Sequence, residues 1–257
     1  MLFDFRINRI LFFIGMLILF ALTYYLVIVH EVSSTIILIV ALVFVFAMNF
    51  TMKRVANNMY RYMHQLLYIY ADAEGYFEQV HMLYKRSSRG RKLLQVAKTQ
   101  NLVMAYLFAG DFEEASTLNQ ALLEKYQTAI YEQSQMRFSQ KLIDTMLVLF
   151  NYDPVAFEQA YRILEEEIET LPPDTQEYVK TNDYSIFYMI KQLKQHFEAE
   201  TILVETLEEM YKDANEFLKT AVIYTLLRND KITYTIPESL KRKDGNTLFY
   251  KDNERKF

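Results

Sequence analysis

Glu78 and His81 stand three positions apart, the spacing that supplies half of a carboxylate-bridged di-metal site when both residues fall on one helix. A working site needs a second such pair. The other histidines, His30, His64 and His196, have no Glu three positions before them. Glu165, Glu166, Glu167 and Glu169 form the densest acidic run, but consecutive helical positions spread their carboxylates around the circumference. That arrangement suits a solvated face better than an acid/base pair. The chain has no Cys, which removes thiolate nucleophiles and thiolate zinc sites. No nucleophile elbow, zincin or phosphate-loop pattern occurs. Catalysis, a resident metal and a cofactor are therefore not expected.

The elements that position these residues follow from composition. With 5 Gly and 4 Pro in 257 residues, the chain holds little turn material for hairpins or a many-stranded sheet. An all-α fold is expected.

Two uncharged runs open the chain, 10–29 and 32–52. A 20-residue helix rises about 30 Å, the thickness of a bilayer's hydrocarbon core. A transmembrane helical hairpin over residues 1–52 is expected. A cleaved signal peptide does not fit, because the first run is too long and no small-residue cleavage site precedes the second. Arg6 and Arg9 before the first run, and Lys53, Arg54 and Arg61 after the second, place both termini on the cytoplasmic side. No Gly or Pro occurs from Val32 through Glu74, so the second span is expected to continue as one helix beyond the membrane. The absence of Cys and Trp with many Ile, Lys and Tyr points to a bacterial plasma membrane, an organelle membrane being the alternative.

Residues 53–230 contain an internal repeat. Phe77-Glu78, Phe112-Glu113, Phe157-Glu158 and Phe197-Glu198 are each followed, six positions after the Phe, by Leu83, Leu118, Ile163 and Leu203. Apolar residues at three- and four-residue intervals flank each pair, so each unit reads as two helices. In the second unit Leu102, Tyr106 and Leu107 mark one helix, Gly110-Asp111 the turn, and Phe112, Ala115, Leu118 and Leu122 the next. In the third, Asp153-Pro154 opens a helix and Pro172-Pro173 closes it.

These residues resemble the tetratricopeptide repeat. Leu102, Tyr106, Gly110-Asp111-Phe112 and Ala115 match its helix-pair pattern in register, and Leu147, Ala160, Leu164 and Pro172 match part of it. The resemblance covers residues 60–215 and implies a curved α-solenoid with a concave face lined by the first helix of each pair. The alternative is an ordinary helical bundle, favoured by the unequal spacing of the units. On the solenoid reading, Gln100, Met104, Phe108, Thr145 and Leu149 line the groove, the alternative being that the Met and aromatic residues at this helical spacing are core. They lack the basic and Asn side chains of a carboxylate clamp, so an apolar or amphipathic helical protein segment is the expected ligand.

Charge is separated along the chain. Residues 53–98 hold 9 basic and 3 acidic side chains, a net of +6, and residues 99–257 hold 17 and 27, a net of −10. Lys85, Arg86, Arg89, Arg91 and Lys92 form the densest basic cluster and are expected to meet anionic lipid headgroups. The acidic remainder argues against nucleic acid as a partner. After Asp230 the helical pattern lapses. Ile232 to Ile236 alternate like a short strand, residues 241–246 read as a turn, and 231–257 are expected to form an appendage or tail. The function expected from these features is a membrane-anchored scaffold or adaptor that binds a protein partner through its repeats. The alternative is an accessory subunit of a membrane complex, held by its hairpin.

Overall fold

The computed structural model describes residues 14–15, 17–25, 34–86, 92–150, 153–198, 202–232 and 247–252. The chain divides into two compact units, Met1–Met63 and His64–Phe257. The described residues are overwhelmingly helical and contain no strand, as the scarcity of Gly and Pro requires.

In the first unit, residues 17–25 form α1, and α2 is the uninterrupted helix Ser34–Tyr68, within which the division between units falls. The expected continuation of the second apolar run as one helix is observed. A Cβ added to Gly15 would lie 3.3 Å from Phe44 Cζ, so the missing side chain lets the first helical stretch approach α2 closely. Counted over the described residues alone, no helix is long and apolar enough to cross a membrane. The side chains at 36–38, within the charge-free stretch of α2, fall outside that description.

The second unit is a succession of helix pairs: α3 (Ala73–Arg86), α4 (Lys92–Ala109), α5 (Phe112–Tyr131), α6 (Ser134–Phe150) and α7 (Pro154–Ile168). The short α8 (Pro173–Thr181) leads to α9 (Ile186–Phe197), α10 (Val204–Met210) and α11 (Glu216–Arg228). Each helix from α3 to α7 packs on its neighbour in sequence, and α4 also packs on α6, so the pairs α4/α5 and α6/α7 stack. This is a helical repeat-like arrangement.

The turns have local causes. Gly110, at φ 82°, ends α4 in a Schellman motif, with Gly110 N–H donating to Leu107 O (3.1 Å) and Asp111 N–H to Tyr106 O (2.9 Å). Asp153 caps α7 by accepting from Val155 N (2.9 Å) and Ala156 N (3.1 Å), with Pro154 in the first turn. The Pro172-Pro173 pair does not close α7, which ends earlier at Ile168. Instead Pro172 precedes α8 and Pro173 opens it, where a missing N–H costs no helical bond.

The Phe-Glu repeat is structural in its first three units. Phe77, Phe112 and Phe157 fall within the opening residues of α3, α5 and α7, whereas Phe197 closes α9. The fourth unit shares the letters without the geometry.

The main core lies between α4, α6, α9 and α11. α11 is apolar around most of its circumference, with Phe217, Val222 and Ile223 fully buried, because helices cover it on several sides. A smaller cluster of Val96, Leu122, Ala129 and Ile130 joins the start of α4 to the end of α5.

One buried polar pair gives the domain a pH dependence. Tyr211 O–H donates to Gln192 Oε1 at 3.2 Å, which leaves the Tyr oxygen to accept from His196 Nε2–H at 2.6 Å. Burial lowers the His196 pKa below its ordinary 6.5. The unfolded chain therefore binds the proton first as pH falls, and the stability held above pH 6.5 is lost below it. Denaturant titrations from pH 7.5 to 5 should show wild type losing more stability than His196→Gln. Parallel losses would contradict this assignment.

Candidate functional site

The residues expected to line a groove are in the core. Gln100 is 3% exposed, Met104 9%, Phe108 1%, Thr145 1% and Leu149 0%. They do lie on the inner helices α4 and α6. That face is covered: Phe108 meets the Phe217 ring of α11 at 5.3 Å, and Leu149 O accepts from Asn229 Nδ2 at 3.2 Å. Thr145 Oγ1 donates to Lys141 O at 2.7 Å. Gln100 Nε2 donates to Met136 O (2.9 Å) and Gln140 Oε1 (3.3 Å).

The acidic run resolves into ion pairs, as a solvated face would. Glu167 meets Arg137 at 3.0 Å, Glu169 meets Lys180 at 2.5 Å and Glu166 meets Arg162 at 3.9 Å. Glu78 is exposed, and His81 stacks on Phe77 with ring centres 5.6 Å apart. Among the described residues no group of three or more potential metal ligands occurs. Of the basic cluster, Lys85 and Lys92 are exposed. Arg89, Arg91 and the side chain of Arg86 lie outside the described residues. So do 233–236 and 241–246, where a strand and a turn were expected.

The site with the most specific chemistry is one that periodicity does not indicate. Residues 247–252, within the stretch expected to be an appendage or tail, lie against the ends of α3, α4, α5 and α11. Ala71, at φ 50°, closes the turn after α2, and its carbonyl accepts from Thr247 N–H at 2.9 Å. Thr247 Oγ1 then accepts from Glu74 N–H and donates to Asp72 Oδ1, both at 3.0 Å, adding to the cap of α3. Phe249 N–H donates to Phe108 O at 2.7 Å, a carbonyl in the last turn of α4. The Phe249 ring is fully buried, stacked on Tyr224 with centres 4.3 Å apart and set edge-on to Phe150 at 5.3 Å.

Asp252 and Lys251 anchor the far end. Tyr224 O–H donates to Asp252 Oδ2, which also meets Arg228 Nη1 at 3.3 Å. Burial, and next the Asp252 carboxylate, push the Tyr224 pKa up, so it stays a donor. The Arg228 guanidinium lies 4.5 Å from the Phe112 ring centre, a cation–π contact that holds the fork over the slot. Lys251 Nζ pairs with Asp111 at 3.0 Å and lies over the rings of Phe77 and Tyr106. Gly110 makes the approach feasible, since a Cβ there would fall 2.9 Å from both Phe249 O and Asp252 N.

Chemically, this is a cradle for a short segment folded as a turn that leads into a helical turn, closed by Tyr250 N–H donating to Thr247 O (3.2 Å) and Asp252 N–H to Phe249 O (3.1 Å). It offers the Ala71 and Phe108 carbonyls to backbone N–H groups, an aromatic slot, and an Arg–Tyr pair for a carboxylate. Of the five groove residues read from sequence, Phe108 meets the segment through its carbonyl, which accepts from Phe249 N–H. The missed participants are Tyr224, Arg228, Phe249 and Asp252. The apolar Leu248-Phe249-Tyr250 triplet amid polar residues is the one sequence signal that could have marked the segment.

No protein-family model, curated protein or solved structure matches this chain.

Proposed function

We propose that the protein is a membrane-anchored adaptor, held in the bilayer by its two apolar runs, 10–29 and 32–52, whose helical repeats bind a protein partner at the cytoplasmic face. The observation that carries the anchor is the exposure of the apolar side chains of the first unit. Phe20 and Phe46 are each 75% exposed, Leu17 68% and Phe50 66%. Leaving such a side chain in water forgoes about 1.5–3 kcal/mol, and contiguous apolar surface marks a membrane or protein contact. Lipid removes that penalty for the whole stripe at once. Lys85 and Lys92, both exposed, with Arg86, Arg89 and Arg91 between them in sequence, supply charge for anionic headgroups at about 1 kcal/mol each.

The adaptor half of the reading is supported by the stacked pairs α4/α5 and α6/α7 and by a cradle whose chemistry suits a short turn-forming segment. Alkaline carbonate washing of native membranes tests the anchor. The full chain should stay with the membrane and leave only with detergent; release by carbonate overturns the anchor.

A further inference from the structure

The cradle at the ends of α4 and α11 is occupied by a segment of the chain itself. The segment lies beyond residues 233–246 in sequence and takes part in no helix pair. It is held by side-chain anchors and few backbone bonds: the buried Leu248 and Phe249, the Asp252 carboxylate, the Lys251–Asp111 ion pair and the Thr247 hydroxyl. Phe249 is also strained. Its φ of 57° is left-handed, a conformation unfavourable for a bulky residue that persists only where packing holds it.

We propose that residues 247–252 are a cis-acting occupant of a peptide-binding site, displaced by a partner segment carrying an aromatic residue and a carboxylate three positions later. The inference rests on the adaptor reading and names the chemistry of its partner. The aromatic side chain takes the slot of Tyr224 and Phe150, the carboxylate takes Arg228 and the Tyr224 hydroxyl, and a backbone N–H takes Phe108 O. A partner that seats its aromatic residue without left-handed backbone avoids the strain that Phe249 carries. Tethering gives the cis segment an effective concentration on the order of mM. Free ligand therefore binds wild type weakly, and loss of the Phe249 anchor opens the site.

The probe is a labelled synthetic peptide with the sequence of residues 245–254, titrated by fluorescence anisotropy into the full-length protein in mild detergent. Phe249→Ala should bind it at least about tenfold more tightly than wild type does, in keeping with loss of the tethered competitor. Asp252→Asn, a milder change, should fall between them. A peptide carrying alanine at the position of Phe249 should not bind. Adding Gly110→Ala to Phe249→Ala should abolish binding, because the new Cβ occupies the space of the segment's backbone.

A folded Phe249→Ala protein that ignores the peptide overturns the proposal, and so does equal binding of the alanine-bearing peptide. If neither variant folds, the segment is permanent core and the proposal falls. A partner that co-purifies with the protein while the peptide fails to bind leaves the adaptor reading standing without this site. Peptide binding with no co-purifying partner does the reverse.

Discussion

Replacing Phe108 by alanine is expected to cost the second unit about 3–5 kcal/mol, the range for removing a buried Phe side chain with incomplete collapse of the cavity. Phe108 is 1% exposed, meets Phe217 edge-on at 5.3 Å and Tyr76 at 6.4 Å, and cannot relax toward solvent. For a unit of this size the melting temperature should fall by roughly 6–20 °C. The measurement decides between two readings of the same residue. A groove-lining Phe108 would lose partner binding with little change in melting, whereas a core Phe108 loses the fold's stability first. Thermal denaturation of the full chain in mild detergent separates them, and an unchanged melting temperature would contradict the core placement.

The second large effect is expected at Gln140. This side chain is fully buried and joins three helices: its Nε2 donates to Asn119 Oδ1 at 2.7 Å and Asp144 Oδ1 at 2.9 Å. Its Oε1 accepts from Gln100 Nε2. Gln140→Ala strips these groups of a partner at once, and an orphaned buried polar group costs about 1–3 kcal/mol. A total loss of about 2–4 kcal/mol is expected, since Asp144 also accepts from Asn119 Nδ2 and is partly reached by water. Gln140→Met fills the same volume and should recover only the cavity part. Chemical denaturation of the two variants checks this, and a Met variant as stable as wild type would show that the network contributes nothing net.

These two residues also show where the sequence was legible and where it was not. The α4–α5 hairpin could be read locally, because Gly110 can adopt the left-handed φ that a Schellman end needs and Phe112 restarts the apolar period. Asp153-Pro154 marked the start of α7 for the same reason: capping is settled within a few residues. Periodicity gives the face of a helix that avoids water, but it does not distinguish a face covered by another helix from one open to a ligand. Met104, Phe108 and Leu149 sit on that face, and α11, more than 60 residues later, helps close over it. The repeat signature overreached at Phe197, because a Phe-Glu pair and an aliphatic spacing can recur by chance in a helix-rich chain. Docking of residues 247–252 was invisible for a related reason. Thr247 bonds to Ala71 and Glu74, partners more than 170 positions away, so no local pattern encodes it.

On the proposed adaptor reading, the helical repeats, more than residues 1–63, bind the protein partner. Full-length protein purified from native membranes in mild detergent, beside residues 1–63 alone, tests it most directly. A stoichiometric partner retained by the full chain and absent from the hairpin is the predicted result. A partner retained equally by residues 1–63 would contradict the claim and make the chain a membrane-complex subunit whose contacts lie in its apolar helices.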